Sequence, residues 1–153
     1  MRRILKFLRL PNDEKALLLK ASALLCGVRA LFWIFPYRIV NPLFALACRP
    51  RLEQCNSSPG ALAWAVAVAG TLVPGGAHCL SQAISLQILL ARRGIESNVR
   101  FGVRRPGGAP LMAHAWLEYR GEVLIGGENL DRFVQLASPG LPAGSTADPL
   151  KQQ

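Results

Sequence analysis

The sequence has few acidic residues for its length. Nine Asp and Glu stand against 18 Lys and Arg in 153 residues, which gives a formal net charge of +9. The excess is uneven: residues 1–58 hold ten basic and three acidic residues, whereas residues 59–153 hold eight and six. The basic N-terminal third is suited to an acidic peptide, a nucleic acid or an anionic membrane surface, and a solvated basic face explains it equally well.

The sequence also lacks the patterns that bind metals and nucleotides. Its four cysteines form no Cys-x-x-Cys pair, their spacing fits no zinc framework, and there is no glycine-rich phosphate loop. Without these patterns we expect no cofactor. No cleavable signal peptide is evident, so we expect a cytoplasmic protein with free thiols. Cys26 lies in an apolar run and is expected to fill the core. Cys48 and Cys55 would pair only in an oxidising compartment.

One apolar run, Ala16–Phe35, is about long enough to cross a bilayer. Lys20 and Arg29 interrupt it, and a charge near the middle of a spanning helix is costly in lipid. Its apolar residues follow the three-and-four spacing of a helix with one buried face. We therefore favour a helix packed on the protein core or on a partner over membrane association. The residues of this apolar stripe are Leu17, Leu18, Ala21, Leu24, Leu25, Val28, Leu31 and Phe32.

The order of elements predicts an α+β architecture. Helical patterns come first, one of them after a Ser57 or Ser58 cap and another from Cys79 to about Arg93, where Gly94 is placed as a left-handed C-terminal cap. The hydrophobic period then changes to two, which predicts an antiparallel meander with a turn at Arg120-Gly121. The predicted strands are 98–105, 111–119 and 122–127, and the segment 128–136 is a loop into a short final element. We divide the chain into a basic, apolar helical region at 1–58, a core at 59–137 and a disordered tail at 138–153.

Cys79 lies where a cysteine can act as a nucleophile. The N-terminus of a helix favours the thiolate, because its unpaired N–H groups and the helix dipole attract negative charge. Gly75 and Gly76 allow the preceding backbone to approach a substrate closely. The N–H of Cys79 is also available to an oxyanion.

The sequence contains two histidines that could serve as the base. The side chain of His78 should point away from its neighbour Cys79, whereas a helix followed by a hairpin can bring His114 to the start of the Cys79 helix. His114 is therefore the expected base. A third group would fix its tautomer. If Arg120-Gly121 is a two-residue turn, Asn129 is a diagonal neighbour of position 114, whereas a one-residue bulge places Glu128 opposite.

Other interpretations of these residues remain open. Asp131, just past the strand, is another candidate for the third group, after Asn129 and Glu128 in that order. A single cysteine in an apolar helix usually belongs to the core, and a single histidine on a strand is often structural. Trp116 shares a strand face with His114 and either walls the site or fills the core.

The segment CLSQAISLQILLARRGIESNVRFGV, followed by AHAWLEY and GEVLIGG, resembles a known family. With the opening FLRLPNDEKALLLKASALLCGVRALFWIFP, it is similar to the transglutaminase-like B2 proteins of lasso peptide biosynthesis, over about residues 4 to 137. The resemblance implies a papain/transglutaminase-like fold, in which N-terminal helices precede a nucleophile helix packed on a small antiparallel sheet. Residues 59–137 would be the transglutaminase-like catalytic core.

The resemblance implies a cysteine peptidase that removes the leader from a ribosomally made lasso precursor before a cyclase closes the ring. Cys79 would be the nucleophile and His114 the base, and Asn129 stands where the family often has an Asp. The implied partners are the precursor peptide, a separate leader-recognition B1 protein and the lasso cyclase, with no nucleic acid. The alternative is a non-catalytic scaffold that binds the peptide or the cyclase.

Overall fold

The fold begins with helices and ends with a sheet, in the order that the sequence predicts. The computed structural model describes residues 11–35, 37–49, 57–73, 79–105, 107 and 110–136. The helices are α1 (Asn12–Ile34), α2 (Tyr37–Ala47), α3 (Pro59–Leu72) and α4 (Cys79–Ala91). The strands are β1 (Asn98–Arg104), β2 (Met112–Tyr119), β3 (Glu122–Ile125) and β4 (Val134–Leu136), with a 3-10 helix at Leu130–Arg132.

The local signals for α1, α3 and α4 are confirmed. All of the predicted apolar stripe of α1 is buried or partly buried. The Ser58 hydroxyl accepts a hydrogen bond from the Ala61 N–H at 3.2 Å, so Ser58 caps α3. Gly94, at φ +70°, follows α4 in a Schellman motif, in which the Ile95 N–H donates to the Leu90 carbonyl.

Pro42 does not interrupt the second helix. A proline inside a helix usually breaks or kinks it, yet α2 runs through Pro42 to Ala47. Val40 and Phe44, one turn apart, are buried against α1 and α4, and the rings of Phe44 and Phe32 lie 5.5 Å apart. We attribute the continuity of α2 to this packing, which offsets the missing N–H of the proline.

The sheet has four described strands in the order β3-β2-β1-β4, one more than the predicted meander. The turn at Arg120-Gly121 is confirmed, since both residues have positive φ. β4 returns beside β1 and pairs antiparallel to it, from Phe101 with Leu136 to Val103 with Val134. The fourth strand pairs with a strand distant in sequence, so local patterning did not reveal it.

The helices and one face of the sheet enclose a common core. Leu25 of α1, Leu62 of α3, Leu86 of α4 and Leu117 of β2 all belong to it. The α1 residues of the N-terminal region therefore pack directly on the residues of the predicted catalytic core.

The cysteines differ in their surroundings. Cys26 is exposed, so the expectation that it fills the core is wrong: it lies on the outer side of α1. Cys48 is a partly buried free thiol; burial raises its pKa, and nearby Arg92 acts in the opposite sense. Cys55 and the tail at 138–153 lie outside the described residues.

Candidate active site

Cys79 is held at the first position of a firmly packed helix. It is partly exposed, whereas Ser81 and every residue from Ala83 to Leu90 are buried. A helix fixed along its length gives its first residue a defined position. His78 and the two glycines of the preceding loop lie outside the described residues.

His114 lies on β2 beside two aromatic rings. Its imidazole stacks on Trp116, with 6.3 Å between ring centroids, and lies 5.1 Å from the ring of Phe133. Trp116 is buried at 4% exposure, and its indole N–H donates to Glu118 at 2.8 Å. Glu118 in turn pairs with Arg100 at 3.0 Å. Trp116 thus both fills space and supports the face of the imidazole.

A hydrogen bond fixes the orientation of the imidazole. Nε2 of His114 lies 2.7 Å from the main-chain carbonyl oxygen of Gly126. A carbonyl only accepts hydrogen bonds, so Nε2 must carry the hydrogen and donate it. In the neutral ring the lone pair is then on Nδ1, the nitrogen left to accept a proton.

Gly126 has no side chain because β2 passes directly beside it. Its φ is +79°, and a Cβ built on it would lie 2.7 Å from the carbonyl oxygen of Ala115 and 3.0 Å from Cα of Trp116. Both contacts are with backbone, which cannot move aside cheaply. Glycine therefore allows the chain after β3 to bring its carbonyl to His114.

Cys79 and His114 line the same cleft, which has a volume of about 520 Å³. Alternation along β2 places His114 on the sheet face opposite the core residue Leu117. The cleft lies at the end of β3, where the Gly126-Gly127 segment and Glu128 form one wall. Gln82, one helical turn after Cys79, forms part of another. Cys79, His114 and Gln82 thus line one open space.

A one-residue bulge in β3 determines which candidate for the third catalytic group lies at the cleft. Leu117 pairs with Ile125, but Glu118 pairs with Val123, so β3 carries an extra residue. This is the register that the sequence associated with Glu128, and Glu128 does line the cleft. Asn129 is exposed, in a left-handed conformation at φ +55°, and neither it nor Asp131 lines the cleft. The catalytic role of Asn129 stays a prediction.

Sequence reasoning missed the hydrogen-bond partner of His114 because that partner is a main-chain atom. The only signal was the Gly126-Gly127 pair at the end of β3, which indicates a tight backbone approach without naming its purpose. The sequence also did not reveal that Gln82 lines the cleft. Its position one helical turn after Cys79 becomes informative only when the location of the cleft is known. Among the described residues, no group of three or more His, Cys, Asp and Glu is arranged to hold a metal ion.

Comparison with known families adds one finding. A family model described as the transglutaminase-like superfamily matches residues 22–138. No curated protein and no solved structure matches the chain. The match and the observed helices and antiparallel sheet together confirm the predicted α+β, papain-like fold.

Proposed function

Because the chain belongs to the transglutaminase-like superfamily, we propose that it is a cysteine peptidase that uses Cys79 as nucleophile and His114 as base. The superfamily has the fold typical of cysteine-protease-type enzymes. The observation that carries the proposal is the shared cleft, in which a helix-start thiol and an oriented imidazole line the same space. Cys79 is partly exposed, as a nucleophile must be, whereas a non-catalytic scaffold has no need of an accessible thiol.

In the proposed mechanism Cys79 acts as the nucleophile and His114 as the general base and acid. Nδ1 of His114 takes the proton of the Cys79 thiol, and the thiolate attacks the scissile carbonyl. The N–H of Cys79, at the start of α4, stabilises the oxyanion. The intermediate collapses to a thioester, and His114 gives its proton to the departing amine. Water, deprotonated by His114, then hydrolyses the thioester and restores the thiol.

The proposed substrate is the precursor of a lasso peptide, cut at the end of its leader. This step rests on the similarity of the Cys79, His-Ala-Trp and Gly-Gly segments to B2 leader peptidases. A separate B1 protein would deliver the leader, and a cyclase would receive the released core peptide, all in the cytoplasm. The open cleft is compatible with an extended peptide, since it is bordered by the last residues of β3.

Mass spectrometry of a precursor peptide incubated with the protein and its recognition partner tests the proposal. We expect Cys79→Ala to abolish cleavage and His114→Ala to slow it by about 10²- to 10⁴-fold, the usual contribution of a general base. Cys26→Ala is the matched control, because this thiol is exposed on α1 and does not line the cleft. Normal cleavage by a folded Cys79→Ala protein would refute the peptidase assignment.

A further inference from the structure

Glu118 lies on the same face of β2 as His114 but takes no part in the proposed chemistry. His114, Trp116 and Glu118 alternate along the strand, so their side chains share one face. The Glu118 carboxylate accepts hydrogen bonds from the indole N–H of Trp116 at 2.8 Å and from Nε of Arg100 at 3.0 Å. Its side chain is 25% exposed. Two donors on one partly buried carboxylate fix its position.

The indole of Trp116 extends from Glu118 to the position beside His114. Gly102 of β1 is the cross-strand partner of His114. A Cβ built on Gly102 would lie 3.0 Å from Cζ3 and 3.2 Å from Cη2 of Trp116, so the six-membered ring of the indole lies over Gly102. The N–H at the other end of the same side chain is bonded to Glu118. Because the indole is rigid, the hydrogen bond at one end sets where the other end lies.

Phe133 approaches the same point above Gly102. Its Cβ would lie 2.9 Å from the added Cβ, and its ring centroid is 5.1 Å from that of the His114 imidazole. Gly102 does not have a positive φ, so its backbone conformation does not require glycine. The missing side chain instead leaves room for Trp116 and Phe133 next to the imidazole.

From these contacts we propose that Glu118 is a positioning residue that acts on His114 through Trp116. The hydrogen bond from Nε2 to the Gly126 carbonyl leaves the imidazole free to tilt about that bond. The indole, stacked on the imidazole with 6.3 Å between ring centroids and held by Glu118, restricts this tilt. Together the two contacts keep Nδ1 directed at the thiol of Cys79. This inference rests on the proposed peptidase function, in which Nδ1 takes the proton of that thiol.

Alkylation by iodoacetamide, with the label located by mass spectrometry, tests the proposal without a peptide substrate. In the wild type we expect Cys79 to react about tenfold or more faster than the exposed Cys26, because His114 takes its proton and the thiolate is the reactive form. Glu118→Leu should slow the reaction of Cys79 by about tenfold, the effect of roughly one hydrogen bond. The reaction of Cys26 in the same sample should not change.

Two further substitutions separate positioning from a general effect on the sheet. Glu118→Gln should keep the Cys79 rate within about twofold of the wild type, because its amide oxygen can still accept from the indole N–H. Glu122→Leu is the matched control, since Glu122 is an exposed acid on β3 that pairs with Tyr119 in the ladder, and it should leave the rate unchanged. A folded Glu118→Leu protein with a lower urea midpoint but an unchanged Cys79 rate would overturn the proposal and leave a purely stabilising contact.

A double-mutant cycle shows whether Glu118 acts through Trp116. Trp116→Phe removes the indole N–H and keeps an aromatic ring at the position. In this background Glu118→Leu should change the Cys79 rate by less than about twofold, because the hydrogen bond through which it acts is already gone. A further loss of about tenfold in the double variant would overturn the proposal, since independent effects multiply in the rate.

Gly102→Ala disturbs the same contact without altering Glu118, and so serves if Glu118→Leu does not fold. The added methyl group displaces the indole, and alanine is not strained in a strand, so the Cys79 rate should again fall by about tenfold. A wild-type Cys79 that reacts no faster than Cys26 would refute its activation by His114 and both proposals with it. A fast wild-type Cys79 that is unaffected by Glu118→Leu and Gly102→Ala would refute the positioning role alone.

Discussion

The imidazole of His114 takes its orientation from a main-chain oxygen. The carbonyl oxygen of Gly126 lies 2.7 Å from Nε2, so a main-chain atom already orients the ring. The rings of Trp116 and Phe133 both lie beside the imidazole, at centroid distances of 6.3 and 5.1 Å. The sequence predicts that a third group orients His114. Only side chains can be recognised as candidates from residue types, which is why Asn129 was the first candidate. Main-chain hydrogen bonds leave no such signature in residue identity.

Nitrogen NMR of histidine tests this orientation without any activity measurement. The protein has two histidines, so a His78→Gln variant labelled with ¹⁵N-histidine gives the signals of His114 alone. We expect the neutral ring to be the Nε2–H tautomer, because a carbonyl can only accept. Asn129→Ala should leave the tautomer unchanged. An Nδ1–H tautomer in the neutral ring would show that the Gly126 carbonyl is not its partner.

At the scale of elements, the sequence predicted what is locally encoded. The Ser58 cap, the left-handed Gly94 and the turn at Arg120-Gly121 each depend on a few neighbouring residues, and each is confirmed. The β3 bulge and the pairing of β4 with β1 depend on contacts between distant segments. For the same reason the sequence identified Cys79 and His114 as candidates but left the register between His114 and residues 127–129 open.

Two glycines share a left-handed backbone conformation, but only one of them lies close to other backbone atoms. Comparing their alanine variants therefore distinguishes the cost of backbone strain from the cost of a steric clash. Gly121 and Gly126 have φ of +83° and +79°, but a Cβ on Gly121 meets nothing within 4 Å. We expect Gly121→Ala to cost about 1–2 kcal/mol of unfolding free energy from its left-handed backbone alone. Gly126→Ala should cost more and should also slow peptide cleavage, because it displaces the carbonyl that orients His114.

Urea unfolding and cleavage kinetics, measured on both glycine variants, give the comparison. The decisive quantity is the cleavage rate under conditions where both variants are fully folded. There Gly121→Ala should match the wild type while Gly126→Ala should not. Equal rates for the two variants would mean that the Gly126 carbonyl has no part in positioning the imidazole.

At the scale of the whole molecule, the helical region and the catalytic region share their interior. Leu25 of α1 is fully buried and belongs to the same core cluster as Leu86 of α4 and Leu117 of β2. The helix that presents Cys79 therefore packs against α1, and the strand that carries His114 belongs to the same core cluster. The division at residue 58 follows the composition and charge of the chain, and the core crosses it.

A buried and an exposed leucine on α1 test whether the site depends on this shared core. Leu25→Ala should lower the unfolding free energy by about 2–5 kcal/mol, the usual cost of a cavity in a core. Leu19→Ala should change it by no more than about 0.5 kcal/mol, because Leu19 is 63% exposed on the same helix. In Leu25→Ala we compare two urea midpoints, one for loss of peptide cleavage and one for loss of the far-ultraviolet circular dichroism signal. If α1 unfolds together with α4 and β2, both midpoints should fall by the same amount. A cleavage midpoint that stays at the wild-type value, while the helical signal melts earlier, would show that the site stands independently of α1.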